Sequence, residues 1–144
     1  MRALLQRVTQ ARVDVGSECV GRIDHPGLLA LVGVTHGDSA FQAATVARRI
    51  AELRILADEQ SVLDRGAPVL LVSQFTLYGD TRWGRRPSWT AAAPAAVAEP
   101  LVERVTAELR ARGVQVATGC FGADMQITLT ADGPFTVTLD TDRT

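Results

Sequence analysis

The side chains able to do chemistry in this sequence gather in three stretches. In SQFTLYGD (73–80) an apolar run carries Ser73, Gln74 and Thr76 to the point where it should leave the core, which is where scaffolds present functional groups. Ser and Thr at such points also bond commonly to neighbouring backbone, so a purely local role stays open beside a catalytic one. In ADGPFT (131–136) the pair Gly133-Pro134 reads first as a turn, with Pro removing a ladder donor. In TRWGRRPSW (81–89), Arg82, Arg85 and Arg86 are phosphate-binding types, and Trp83 and Trp89 offer rings on which an unpaired base could stack. The competing reading of that stretch is a solvated basic turn with Trp89 tucked into the core.

Several familiar kinds of machinery are missing. His25 and His36 are the only histidines, each sits beside turn residues, and no G-x-S-x-G elbow accompanies them, which argues against a histidine-based triad. Cys19 and Cys120 make no C-x-x-C and lie far from each other and from paired carboxylates, so no metal site is expected and each should be a free, buried thiol. Neither GxxxxGK[ST] nor G-x-G-x-x-G occurs, and no cofactor is implied. A net charge of −1 excludes a globally basic protein that coats nucleic acid but leaves room for a local basic patch.

The elements that must position these residues follow from periodicity. With 144 residues, 47% hydrophobic and 22% charged, the chain predicts one domain, 1–144, whose core needs no disulfide or metal. Arg2, Arg7 and Arg12 interrupt the N-terminal apolar residues, so no signal peptide is expected there, and no apolar run approaches the roughly 20 residues of a membrane helix. A cytoplasmic location is the expectation. Strands are predicted over 2–8, 11–15 and 18–23, the last two joined at Gly16-Ser17, and over the apolar GLLALVGV (27–34), which should be covered on both faces. A helix should start near Asp38 or Ser39, with Ser39 and Gln42 forming a capping box and Ala43, Val46, Ala47, Ile50 and Leu53 facing inward. PVLLVSQFTL (68–77) reads as a strand, 78–93 as a loop, and 98–112 as a second helix with Pro100 near its first turn and Gly113 as its C′ residue. Met125, Ile127 and Leu129 alternate with polar residues, Phe135, Val137 and Leu139 repeat the pattern, and a β-hairpin turning at 131–134 is predicted. The fold class is α+β, a mainly antiparallel, barrel-like sheet with two longer helices packed outside.

QRV (6–8), GLLALVGV (27–34), RIL (54–56), SQFTLYGD (73–80), GRRPSW (84–89), FGADMQ (121–126) and DGPFT (132–136), in this order and at this length, resemble the D-aminoacyl-tRNA deacylases of the D-tyrosyl-tRNA deacylase type. The resemblance implies a cytoplasmic homodimer that hydrolyses the ester joining a D-amino acid to tRNA, that also removes glycine from mischarged tRNA, and that has no DNA or membrane partner. It places Ser73, Gln74, Phe75 and Thr76 in the pocket wall and Met125 in the matching FGADMQ strand. Gly133-Pro134, followed by Phe135 and Thr136, matches a cis Gly-Pro pair that enters the partner subunit's pocket and rejects L-aminoacyl groups, and Arg7 matches the arginine that braces it. Thr76 and Thr136 match threonines considered as nucleophiles, and Ser73 and Gln74 stand with Thr76 as catalytic candidates. The family picture favours backbone groups that hold the substrate and a ribose hydroxyl that assists attack by water. Phe135 where valine is common, Thr130-Ala131 for Val-Asn, a shorter 58–66 segment and Trp83 for a small or basic residue are departures that bear on substrate range.

An aminoacyl ester is already activated, so positioned water and fixed N–H donors suffice without a strong base. Two other readings compete: a non-catalytic tRNA-binding module that uses residues 81–89, and a covalent hydrolase with Thr76 or Thr136 as nucleophile, which would need an activating base.

Overall fold

The first strand, β1 (Arg2–Val15), organises the sheet because it is paired along its whole length. In the computed structural model, which describes residues 1–143, its first half runs antiparallel to β3 (Gly27–Gly33) and its second half to β2 (Glu18–Ile23), the latter across the expected Gly16-Ser17 turn. Both halves also pair antiparallel with β6 (Gln126–Asp140). β3 then pairs parallel with β4 (Val69–Ser73), and β4 parallel with β5 (Val116–Thr118). Parallel neighbours need long crossovers, and these are α1 (Ala40–Glu52) and α3 (Ala95–Ala111). The α+β framework with two longer helices is therefore the observed one, but its sheet is mixed, because each helix returns the chain to a parallel neighbour.

Two cores flank this sheet. One lies under the helices and joins Leu5, Leu28 and Leu71 to Val46, Ile50, Val105 and Leu109. The other lies on the opposite side and joins Val8, Ala11 and Val13 to Ile23, Leu29, Leu70 and Val72. Strict alternation would put Val8 and Ala11 on opposite faces. Between Val8↔Ala131 and Gln10↔Thr130, however, β1 inserts Thr9 without a partner, and this bulge returns Ala11 and Val13 to the face of Val8. The sheet curls until β2 lies against β5: a Cβ at Gly21 would collide with the Thr118 carbonyl oxygen, so the near-closure of the barrel requires glycine there.

Helix α1 starts as the sequence predicts, with the Ser39 hydroxyl accepting from the Phe41 N–H and Gln42 accepting from the Ser39 N–H. A single helical turn, α2 (Val62–Arg65), occupies the short polar segment, capped by Ser61 and Asp64. Helix α3 departs from expectation by beginning at Ala95, which leaves Pro100 a full turn inside it. The helix survives because Ala96 and Pro100 are exposed, so water can take the carbonyl that proline leaves without a donor. It ends at Gly113, φ +89°, as predicted.

Three further expectations fail. The strand predicted over 68–77 stops at Ser73, and residues Phe75–Tyr78 form a 3-10 turn. No hairpin forms at 131–134: β6 continues through this segment because both of its halves find partners on β1. Cys19 and Cys120 are free but exposed, since one lies on the outer strand β2 and the other just past β5.

Candidate active site

The parallel register sets Ser73 level with Val32 at the C-terminal ends of β3 and β4. The Gln74 N–H donates a hydrogen bond to the Val32 carbonyl at 2.8 Å and makes the last link of the ladder before the chain turns. Gly33 permits this, since a Cβ there would lie 2.9 Å from the Gln74 carbonyl oxygen and 3.1 Å from the Leu77 Cβ. The following 3-10 turn is tied to β1 by Arg2, whose guanidinium lies over the Tyr78 ring at 4.5 Å and donates to the Leu77 carbonyl at 3.1 Å. Burial pushes the Tyr78 hydroxyl well above its ordinary pKa, so this ring is a packing group and not a base at neutral pH.

Ser73, Gln74 and Phe75 form one wall of a cavity of about 410 Å³ whose other walls include Ala95, Ala98 and Val102 of α3 and Phe121, Met125 and Ile127 before and within β6. Among the described residues no titratable side chain lines it. Thr76 is outside the lining, and its hydroxyl accepts from the Gln74 side-chain amide. Gln74 therefore has its side chain oriented by Thr76, which gives Thr76 a supporting position in this structure. His36 is engaged elsewhere, with Nε2 at 2.9 Å from the Thr90 carbonyl oxygen. Phe75 stands at the rim, 56% exposed, edge-on to Trp89 with ring centroids 5.5 Å apart. Trp89 is 43% exposed and so is not tucked into the core.

The second predicted group lies elsewhere. Between Gln6↔Thr136 and Val8↔Ala131, β1 contributes the single residue Arg7 while β6 contributes residues 132–135, which bow outward. Gly133 takes φ +113°, a conformation open to glycine and strained for other residues. The Gly133-Pro134 bond is trans, as there is no cis peptide among the described residues, and this corrects the cis geometry implied by resemblance. The physical reason is that the positive φ of Gly133 already turns the chain, and β6 resumes its pairing at Thr136 without a reversal.

Arg7 reaches across the bulge from β1. Its Nε donates to the Asp132 carbonyl at 3.0 Å and faces the Asp132 carboxylate at 3.5 Å, while the guanidinium lies 4.9 Å from the centroid of Phe135. On the far shoulder, Gln6 Nε2 donates to the Phe135 carbonyl at 3.2 Å and the Thr136 hydroxyl donates to Gln6 Oε1 at 2.6 Å. Gln6 is the contributor that sequence reasoning missed, since a glutamine in QRV carries no chemical signature of its own. The bulge is level with Leu28, and the cavity wall with Val32; four residues of strand separate them by about 13 Å along β3. Within one chain, therefore, the structure brings Ser73, Gln74, Phe75 and Met125 together and leaves Arg7, Gly133, Pro134, Phe135 and Thr136 as a separate group.

In the basic loop the three arginines differ. Arg82 is chelated by Asp80, with Nη2 at 2.7 Å and Nε at 2.9 Å from the carboxylate oxygens. That side-chain pairing, with the Arg82 backbone N–H, holds the Asp80 carboxyl at a pKa of about 2. Arg85 and Arg86 are exposed and have no ion pair among the described residues, which leaves their guanidinium groups available to an external anion. Two-way hydrogen bonds between Asp80 and Ser88 close the loop.

The family model described as D-Tyr-tRNA(Tyr) deacylase matches residues 4–140. This chain belongs to that family. It is 63% identical to a D-aminoacyl-tRNA deacylase of Acidothermus cellulolyticus over 99% of this chain and 100% of that one. It is 62% identical to the protein of the same name in Thermobifida fusca over 97% and 99%. Among solved structures, the c-Myc DNA Unwinding Element Binding Protein superposes with a TM-score of 0.90 at 34% identity, covering 98% of this chain and 99% of that one. A probable eukaryotic D-amino acid tRNA deacylase shares the fold, with a TM-score of 0.85 at 18% identity over 96% and 97% of the two chains. In this deacylase-family chain the described residues contain no cluster of His, Cys, Asp and Glu able to hold a metal ion, and no helix long and apolar enough to cross a membrane.

Proposed function

We propose that this chain hydrolyses the ester between a D-amino acid and the 3′ end of tRNA, accepts the glycyl ester by the same geometry, and acts as a homodimer. The observation that carries the reading is the cavity, a mostly apolar chamber with Ser73, Gln74 and Phe75 at its mouth and no acid or base in its lining. Such a chamber suits an ester that is already activated. It can hold the terminal aminoacyl-nucleoside, exclude bulk water and leave one water to attack, while the main-chain N–H of Phe75, a lining residue with no acceptor for that group within its own 3-10 turn, is available to the developing oxyanion. The ribose hydroxyl next to the ester assists the attacking water. Ser73 and Gln74 position the substrate, and Thr76 orients Gln74.

Selection between enantiomers is assigned to the bulge of a second copy. The bulge lies about 13 Å along the sheet from its own chain's cavity, Phe135 is exposed, and β6 pairs only with β1 among the described residues, which leaves an edge for a partner. Main chain at Gly133 and Pro134, set against the position of an L side chain, rejects every L residue by clash and leaves D residues free. Glycine has no side chain to clash and passes. Arg85 and Arg86, with exposed Trp83 beside them, meet the phosphates and unpaired bases of the tRNA end, and Arg82 contributes less because Asp80 neutralises it.

The test is release of D-tyrosine from D-tyrosyl-tRNA by the purified chain, with L-tyrosyl-tRNA as the control. Turnover of the D ester with the L ester spared is expected. Salt-sensitive binding of tRNA without turnover would instead favour the non-catalytic module, and equal binding of a tRNA end and of single-stranded DNA would remove the RNA preference.

A further inference from the structure

We propose that Gln6 is a positioning residue for substrate selection, fixing the C-terminal shoulder of the bulge as Arg7 fixes the N-terminal one. The inference rests on the reading of the bulge as the selecting element. One carboxamide is used at both ends: its N–H donates to the Phe135 carbonyl and its oxygen accepts from the Thr136 hydroxyl. The two partners have opposite polarity, so only one orientation of the amide satisfies both. The root of the side chain is rigid as well, because Gln6 is paired in the ladder with Leu29 on one side and Thr136 on the other.

Arg7 is the next residue along, and its guanidinium reaches Asp132 and the Phe135 ring. Adjacent residues of β1 thus hold the two ends of a four-residue excursion whose residues have no ladder partners on β1. Phe135, at 40% exposure, belongs to neither core, so the brace gives the fold little. Its effect is on shape. The carbonyl that Gln6 holds belongs to Phe135, the residue after Pro134, and a tip whose main chain can rotate no longer presents a fixed wall to an incoming aminoacyl group.

Substitutions separate this role from a merely structural one. Gln6→Ala removes both contacts. Gln6→Glu keeps an acceptor for Thr136 but places a carboxylate against the Phe135 carbonyl. Thr136→Ser retains the hydroxyl donor, and Thr136→Val removes it at similar volume. In single-turnover deacylation, Gln6→Ala and Gln6→Glu should each lower the D-over-L rate ratio about tenfold, the size expected for one or two partly exposed hydrogen bonds. Thr136→Val should shift the ratio in the same direction, Thr136→Ser should restore it, and the melting temperature of each should stay within a few degrees of the parent. Amide exchange over residues 132–136 should quicken in Gln6→Ala and remain unchanged in the core strands. A parental D-over-L ratio in Gln6→Ala, with D-ester turnover intact, overturns the assignment of Gln6 alone. Unchanged exchange at residues 132–136 overturns the brace itself, whatever the activity, and failure of the parent chain to hydrolyse the D ester overturns the deacylase reading together with this one.

Discussion

The turn at residues 73–78 is held from beneath by packed main chain, with the Arg2 side chain tying only its far end to β1, whereas the bulge at residues 132–135 is held from the side by two side chains of β1. At the turn, Gly33 lets the Gln74 carbonyl descend onto β3, and the Val32 carbonyl fixes the Gln74 N–H. At the bulge, the side chains of Gln6 and Arg7 make the contacts from β1. A wall built of backbone over a packed core cannot be altered without disturbing the fold, while a bulge held by side chains can change shape at little cost to stability. On the proposed function, the first arrangement suits a chamber that must receive many aminoacyl groups, and the second suits a surface that meets another copy.

Substitutions at the two regions should therefore divide between stability and selection. The largest effect is expected at the wall. Gly33→Val drives a side chain into the Gln74 carbonyl and the Leu77 Cβ, and should lower both deacylation, by about 10²-fold, and stability, by about 1–3 kcal/mol. Kinetics and thermal melting on the same sample check it, and a loss of activity with an unchanged melting temperature would break the contrast. Arg7→Ala comes next. It should lower D-over-L selection by about tenfold and stability by about 1 kcal/mol or less, because the Arg7–Asp132 contact is partly solvent-screened. Thr76→Ala and Thr136→Ala should each slow D-ester hydrolysis less than tenfold, with no acyl-enzyme trapped on rapid acid quench. A covalent intermediate in either parent or variant would revive the nucleophile reading.

The smallest effect concerns the loop. The Asp80 carboxyl is held at about 2, below its ordinary 3.8, so the order it lends through Arg82 is complete above about pH 4 and is lost as pH falls through about 2. Activity near neutrality should not register this titration. Tryptophan fluorescence of Trp83 and Trp89 should follow it, and Asp80→Asn should abolish the transition.

Much of the scaffold was readable in the sequence because the signals were local. Ser39 and Gln42 cap α1, Gly16-Ser17 turns β1 into β2, and Gly113 ends α3, each through contacts within a few residues. Where the sequence misled, a distant partner decided the outcome. Phe75 and Leu77 continue the alternation of a strand, yet the chain leaves the sheet at Ser73 because β3 offers Gly33 beneath Gln74. Asp132-Gly133-Pro134 has the chemistry of a hairpin turn, yet β6 runs on because β1 is long enough to pair with both of its halves. The site was legible in part for the same reason. Ser73 and Gln74 could be named from their stretch, and Phe75 and Met125 from the family resemblance, whereas Ala95 falls before the predicted helix, Ala98 and Val102 carry no chemical signature, and only the packing shows that they border a cavity. Gln6 becomes visible only when its amide is seen between Phe135 and Thr136.

The most direct measurement mixes two impaired chains: Ala98→Leu, which fills the cavity, and Gly133→Val, whose side chain is forced against Arg7 and drives the bulge into the space that the partner's substrate would occupy. After exchange of subunits, a mixed pair contains one site with both changes and one with neither. Hydrolysis of D-tyrosyl-tRNA should therefore return in the mixture although neither variant alone supports it. A mixture that remains as inactive as its components, once subunit exchange has been verified, would contradict a site shared between two copies.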